Sequence, residues 1–301
     1  MCCKCCSNHS LRRPSDDFDA QRAFRNLAES HLQVTEKVAS YLADPSSKKN
    51  RLELSGWLRN HSAIIVLPTV AGGDEVSLTD ANTFPECCAV ARHGVFSPNW
   101  YGSGVLIHPR IVLTAAHLHR DHDVDLIAFD TLKWDEAALS NQRRAKTIPH
   151  AKFSTDHRFD LAVMILTSPV PDIVKPIPIA NTQEIDAARE VILVGFGAAD
   201  NMGQTKDGIK RVAGEREDNR ALITSRDSLQ FVAGGSGVDT CPGDSGGPAY
   251  IKVDGKLKLA GITSRGVAQP DKCGQGGFYV RVDAHLGFIN QEAAGIAVFS
   301  P

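Results

Sequence analysis

Short apolar runs separated by Gly, Pro and Asp fill the chain from residue 70 onward and constrain its fold more than any other feature. The clearest runs are 104–107, 111–114, 161–166, 191–194, 249–253, 257–263 and 278–282. Runs of this length between turn residues are typical of β-strands, and many in succession indicate an all-β barrel architecture. With 301 residues, of which 42% are hydrophobic, the chain can build a large core.

The first 69 residues have a different pattern. Residues 16–43 place apolar side chains at helical spacing, Ser15 can cap the first turn, and Pro45 stops the helix shortly after its end. We therefore expect an N-terminal helical extension over 1–69 and a β-rich domain over 70–301. The extension is either a packing element or a pro-segment or regulatory segment.

A glycine-rich turn carries the strongest chemical signal. Residues 240–248 read Thr-Cys-Pro-Gly-Asp-Ser-Gly-Gly-Pro and place Ser245 between glycines. Glycine lets backbone N–H groups approach a reacting atom closely. The N–H groups of Gly243 and Ser245 could therefore stabilise the oxyanion that forms when the Ser245 hydroxyl attacks a carbonyl group. This turn predicts an acyl-transfer nucleophile.

Two further motifs supply the groups that such a serine needs. His117 ends the string Thr-Ala-Ala-His after an apolar run, and Asp160 begins the string Asp-Leu-Ala-Val. A serine hydroxyl needs an adjacent general base, and histidine has a suitable pKa. A buried carboxylate then holds the histidine tautomer. The neighbouring aspartates lack this apolar context, namely Asp121, Asp123, Asp125, Asp130 and Asp156.

His117, Asp160 and Ser245, in this order and within these motifs, resemble the chymotrypsin/trypsin family of serine endopeptidases. The resemblance implies two six-stranded antiparallel β-barrels, over about 70–180 and 181–301, with the site in the cleft between them. It also implies that 283–292 form a C-terminal helix. The expected mechanism uses a Ser-His-Asp triad and an acyl-enzyme.

The same resemblance identifies residues that would bind substrate. Asp239 stands six residues before the serine, at the floor of the pocket for the cleaved residue, beside Thr240. Gly266 and Gly277 stand at the pocket walls, and Ser264 lies on the strand that pairs with substrate. An aspartate at the floor implies cleavage after Arg or Lys. The residue before Gly266 departs from the pattern, because Arg265 replaces the aromatic residue that the family usually has.

The cysteines match the disulfide pattern of the family only in part. Cys241 and Cys273 match the disulfide that links the pocket walls. A second common bridge is missing, because its positions hold Leu118 and Tyr101. Cys87 and Cys88 have no evident partner and are expected to be small buried apolar residues. The Cys2–Cys6 cluster is expected to be a disordered tail, with an acylation site or a metal ligand set as alternatives.

The missing bridge, and the lack of an apolar stretch after Met1, predict a cytoplasmic protein, because disulfides are rare in reducing compartments. A secreted protease with a misread start is the alternative. The net charge of −2 and the spread of charges predict no nucleic-acid partner, and no apolar run is long enough to cross a membrane. No cofactor is expected. The histidines and aspartates of 117–125 are expected to lie in a solvated loop rather than to bind metal.

Asp244 matches the family aspartate that pairs with a new α-amino group after zymogen cleavage, and 70–73 look like a degenerate form of that new N-terminus. Cleavage would then follow Thr69, where an Arg/Lys-specific enzyme does not cut itself. Three explanations are open. Another protease could cut after Thr69, Asp244 could have an internal partner, or residues 1–69 could restrain the enzyme until a regulatory protein binds. A catalytically silent binding module is a further alternative, which the intact motifs disfavour.

Overall fold

The computed structural model describes residues 74–75, 84–94, 99–134, 137–198, 208–215, 217–267 and 273–300. All of them belong to the unit Pro68–Pro301. The predicted helix at 16–43, the Cys2–Cys6 cluster and the segment 70–73 lie outside the described residues.

The described residues form fourteen β-strands, numbered along the chain. After β1 (Asp74–Glu75), the next six strands are β2 (Cys87–Arg92), β3 (Asn99–His108), β4 (Ile111–Thr114), β5 (Leu126–Ala128), β6 (Gln142–Pro149) and β7 (Ala162–Leu166). These six strands close a barrel in the order β2-β3-β4-β7-β6-β5. Every neighbouring pair in it is antiparallel.

The second half of the chain forms another barrel. Its strands are β8 (Glu190–Gly195), β9 (Arg211–Ala213), β10 (Ala221–Arg226), β11 (Gln230–Ala233), β12 (Pro248–Val253), β13 (Lys256–Gly266) and β14 (Gly277–Arg281). The order β8-β10-β11-β14-β13-β12 is closed by pairing of β12 with β8. β9 adds to β8 outside this ring. β1 pairs with β9, although its residues lie in the range assigned to the first barrel. The predicted architecture of two six-stranded antiparallel barrels is confirmed.

Three α-helices occur in the described residues: α1 (Ala116–His122), α2 (Thr182–Ala187) and α3 (Leu286–Glu292). The predicted C-terminal helix is confirmed as a 3-10 turn, Asp283–His285, that leads into α3. The other 3-10 turns are Leu139–Asn141, Ala151–Ser154, His157–Phe159 and Glu217–Asn219. The expectation of a loop at 117–125 is wrong for its first part, because Leu118 is buried and anchors α1. Among all described residues, no helix is long and apolar enough to span a membrane.

Burial of both faces explains why several strands read as continuous apolar runs. Successive side chains of a strand point to opposite faces. In β4, Val112 packs in a cluster drawn only from the first half of the chain, whereas Leu113 packs in a cluster that also contains Val194 and Tyr250 from the second barrel. A separate cluster around Leu193 contains only residues of the second half. Both faces of these strands are therefore buried, and the shared cluster joins the two barrels.

Candidate active site

His117 and Asp160 meet at the end of the first barrel. His117 lies in the first turn of α1, and Asp160 ends a 3-10 turn immediately before β7. The Nδ1 atom of His117 is 2.8 Å from Oδ2 of Asp160, and the His117 backbone N–H donates to Oδ1 at 2.9 Å. The histidine side chain is 20% exposed and the aspartate side chain 4%. The carboxylate thus holds the ring in place while one ring edge stays open to solvent.

Ser264, in β13 of the second barrel, is hydrogen-bonded to this pair. Its hydroxyl donates to Oδ2 of Asp160 at 2.7 Å. Burial by itself raises the pKa of Asp160, but hydrogen bonds from His117 and Ser264 and the interaction with the imidazole outweigh burial. The pKa of Asp160 therefore lies below its ordinary value, and the group is a carboxylate at neutral pH.

The Ser245 turn is held against the first barrel. The N–H of Ser103 in β3 donates to the Ser245 carbonyl at 2.8 Å. Gly246 has φ +81° and lies so close to Thr114 and Ala115 that a Cβ atom would come within 2.2 Å of the Thr114 hydroxyl. Only glycine accepts both this backbone conformation and this approach. Because Thr114 and Ala115 lead directly into α1, the packing places Ser245 beside the segment that carries His117.

The described groups around Ser245 form no hydrogen bond with the atoms that would take part in the reaction. Within the described ranges, no hydrogen bond engages the backbone N–H of Gly243 or Ser245, and none joins the Ser245 hydroxyl to His117. Two free N–H groups next to a partly exposed serine are available to a developing oxyanion. A nucleophile–base hydrogen bond commonly tightens only when substrate binds.

Asp239 lies completely buried beneath the second barrel's loops. Its Oδ1 accepts the Thr240 N–H at 2.8 Å, and its Oδ2 accepts those of Gly274 and Gly276 at 3.1 and 2.9 Å. Gly274 and Gly276 have φ +94° and +95°, which lets the loop turn its N–H groups toward the carboxylate. Burial raises the pKa of Asp239 to about 6, and these backbone hydrogen bonds limit the rise.

The residues predicted for the pocket walls surround Asp239. Gly266 and Gly277 face each other across β13 and β14. A Cβ atom on Gly277 would lie 3.2 Å from Oδ1 of Asp239, and also 3.2 Å from the Thr240 hydroxyl. The predicted disulfide between Cys241 and Cys273 is present and joins the two loops, while Cys87 and Cys88 are buried and free. The structure thus brings Asp239, its two glycines and Thr240 together.

Asp244 occupies a separate buried site next to the serine. Its carboxylate accepts the N–H groups of Gly197 and Cys241, each at 2.8 Å. Burial raises the pKa of Asp244 to about 7, whereas the two N–H groups and the charge of Arg211 lower it. Arg211 is 1% exposed, and its Nη1 donates to the Gly197 carbonyl at 3.2 Å. Sequence reasoning did not identify this cation, because nothing near Arg211 in sequence connects it with Asp244.

Ser103 is a second site residue that the sequence did not reveal. Its hydroxyl donates to the Gly243 carbonyl at 3.1 Å and accepts the Phe196 N–H at 3.0 Å. It therefore ties the turn of Gly243 to β3 of the first barrel and to the residue that follows β8 of the second.

Leu118 and Tyr101 stand at the positions of the absent family disulfide. Leu118 is buried in the apolar cluster against which Tyr101 packs.

Comparisons with known proteins agree with this architecture. A family model described as Trypsin matches residues 79–289. The chain therefore belongs to the trypsin family of serine proteases. Melanization protease 1 of Drosophila melanogaster is 30% identical in an alignment of 228 residues that covers 62% of this chain and 56% of that relative. Kallikrein-1 of Mus musculus is 30% identical in an alignment of 203 residues that covers 60% of this chain and 75% of the relative. Tryptase of Mus musculus is 29% identical in an alignment of 249 residues, with coverages of 73% and 87%.

Proposed function

We propose that this chain is a serine endopeptidase that hydrolyses peptide bonds after Arg or Lys. In this proposal Ser245 is the nucleophile, His117 the general base and Asp160 the group that orients the base. The observation that carries the proposal is the contact of His117 with a buried Asp160. Beside this pair lies the Ser245 turn, in which the N–H groups of Gly243 and Ser245 make no hydrogen bond to any described residue.

The chemistry follows from the tautomer that Asp160 selects. With the proton of Nδ1 directed at Asp160, Nε2 of His117 is left to accept the Ser245 proton. The Ser245 oxygen then bonds to the substrate carbonyl carbon, and the negative carbonyl oxygen receives the N–H groups of Gly243 and Ser245. His117 next protonates the leaving amine as the peptide bond breaks. Water attacks the acyl-enzyme by the same route and releases the acid.

The specificity part of the proposal rests on Asp239. A buried carboxylate without a cationic partner is costly, and the rise of its pKa to about 6 reflects that cost. A substrate Arg or Lys side chain supplies the missing cation. Gly266 and Gly277 add no side chains that would narrow the space above it.

A labelling experiment tests the proposed catalytic class. We expect the purified chain to react with a serine-directed phosphonate that carries an arginine-like side chain, and peptide mapping to find the label on Ser245. Denatured protein is the control, because an ordinary serine hydroxyl is not activated. A folded protein that stays unlabelled would instead be a silent binding module.

We also propose that residues 1–69 restrain the protease until a partner protein binds or a cleavage occurs. The support is Asp244, whose buried carboxylate lies beside the Ser245 turn, so that its ionisation affects the oxyanion site. Arg211 supports the alternative that an internal cation already serves Asp244 in the uncut chain. We also propose a cytoplasmic location, because Leu118 and Tyr101 stand where the family commonly has a disulfide.

Comparing two forms of the protein decides between these alternatives. We expect the full chain to be weakly active and a form that begins at Val70 to be more active, because a restraint requires differential stability of two states. The measurement is kcat/KM on one Arg peptide, normalised to the sites titrated by the phosphonate. Equal and high activity of both forms would contradict the restraint and favour Arg211 as the internal partner.

A further inference from the structure

Arg265 presents a cation at the edge of the candidate active site and forms no ion pair with any described residue. Its guanidinium donates to the Gln230 side-chain oxygen at 2.9 Å, to the Ser264 hydroxyl at 3.3 Å and to the His157 carbonyl at 3.5 Å. All three acceptors are neutral. In the described part of the chain, no carboxylate lies within ion-pair distance of Arg265.

The position of this guanidinium is well defined. It lies 4.1 Å from the centre of the Phe278 ring, a cation–π contact across β13 and β14. The side chain is half-buried, and burial makes protonation less favourable by lowering its pKa. A guanidinium nevertheless stays charged at all relevant pH values. A fixed and partly desolvated cation favours an anion that can reach it.

The nearby carboxylates already have partners. Asp156 pairs with Arg158 at 2.7 Å, and Asp160 pairs with His117 at 2.8 Å. Asp227 accepts the N–H groups of Leu229 and Gln230 at 2.7 and 2.9 Å. The negative charges of these carboxylates favour the protonated form of Arg265 without forming an ion pair with it. The Nε of Arg265 makes no hydrogen bond to a described residue.

Arg265 also lies on a backbone edge that is unpaired among the described strands. β12 pairs with β13 only as far as Ile262, so no described strand covers the side of 264–266 that faces away from β14. This edge runs from Ser264, which contacts Asp160, to Gly266, which faces Gly277 beside Asp239. An extended peptide can add to such an edge through main-chain hydrogen bonds. A bound peptide would place its reacting carbonyl at Ser245 and the side chain of the same substrate residue in the Asp239 pocket. The substrate residues that precede this one would then pass Arg265.

We propose that Arg265 selects substrates with an acidic residue within the three positions that precede the cleaved Arg or Lys. The substrate class is therefore an acidic segment followed by a basic residue. This inference rests on the proposed protease function. The guanidinium fork suits a carboxylate, with which it forms paired hydrogen bonds. The same side chain would disfavour a basic residue there through like-charge repulsion.

The test compares pairs of peptides that differ only by Glu or Gln at one of these three positions. In the full chain we expect kcat/KM to favour Glu by roughly five-fold at one position, as for a partly exposed ion pair. Because each ratio is taken within one preparation, the active fraction cancels. We expect Arg265→Gln to reduce the ratio to about one and Arg265→Lys to retain part of it. Higher ionic strength should lower the wild-type ratio.

The matched control is Arg220→Gln, which removes one positive charge from an exposed pair with Glu190 and should leave the ratio unchanged. If Arg265→Gln does not fold, the lysine variant and the salt series decide. A wild-type ratio of one, or a ratio that survives in Arg265→Gln, would overturn this inference while cleavage of the Gln peptides upholds the protease function. No cleavage of any peptide would overturn both.

Discussion

Replacing Ser245 by alanine is expected to abolish peptide hydrolysis and leave the fold intact. The alanine removes the only atom that bonds to the substrate carbonyl, whereas the turn stays in place through its backbone, as in the hydrogen bond from Ser103 to the residue 245 carbonyl. His117→Ala should cost nearly as much, because members of a triad act as a unit, and we expect a loss of about 10⁴-fold or more for either variant. The measurement is kcat/KM on an Arg peptide.

Ser154→Ala is the matched control, since Ser154 is exposed in a 3-10 turn and only donates to the Ala151 carbonyl. Its kcat/KM should equal that of the unmodified chain. Circular dichroism and thermal unfolding should show that all three variants remain folded. Turnover by Ser245→Ala at a near wild-type rate would refute the assignment of the nucleophile.

Replacing Asp239 by serine is expected to remove the preference for Arg and Lys. The change deletes the carboxylate at the proposed pocket floor, while His117, Asp160 and Ser245 are untouched. Loss of one partner of a buried charge pair should lower kcat/KM for an Arg peptide by about 10²-fold or more, and far less for an apolar residue at the same position. Asp172→Ser, an exposed loop change, serves as the control.

The pH dependence gives a second measurement of the same prediction. With the pKa of Asp239 at about 6, the free enzyme gains the negative charge as pH rises through 6. The ratio of kcat/KM for an Arg peptide to that for its citrulline analogue should therefore increase between pH 5 and 7. His117 affects both peptides alike, so its titration cancels in the ratio. A ratio that does not change with pH, or a dominant preference for Phe, Leu or Glu at the cleaved position, would contradict the proposed specificity for Arg and Lys.

The short helix α1 shows where sequence reasoning failed. Its residues are mostly polar, and only Ala116 and Leu118 are buried. Such a segment has too little periodicity to predict a helix, so it was expected to be a loop. The helix forms because Leu118 packs against Gly102 and the rest of the first-barrel cluster, which is a tertiary contact.

The amino-acid sequence predicts the features of this protein that depend on neighbouring residues. The strands could be predicted from apolar runs between turn residues, because side-chain burial on a strand depends on positions close together in the chain. Ser245 could be predicted from its glycine-rich turn for the same reason. The grouping of Ser245 with His117 and Asp160 depended on the resemblance to a family, since spacing alone does not bring distant residues together.

The contacts between distant side chains are set by the packing of the two barrels. Ser264 reaches Asp160 across 104 positions of sequence, and Ser103 reaches Gly243 across 140. Arg265 meets Gln230, Phe278 and the His157 carbonyl because two barrels pack against each other at this edge. Contacts of this kind have no local pattern, because their free energy depends on burial and charge that exist only once the barrels have formed.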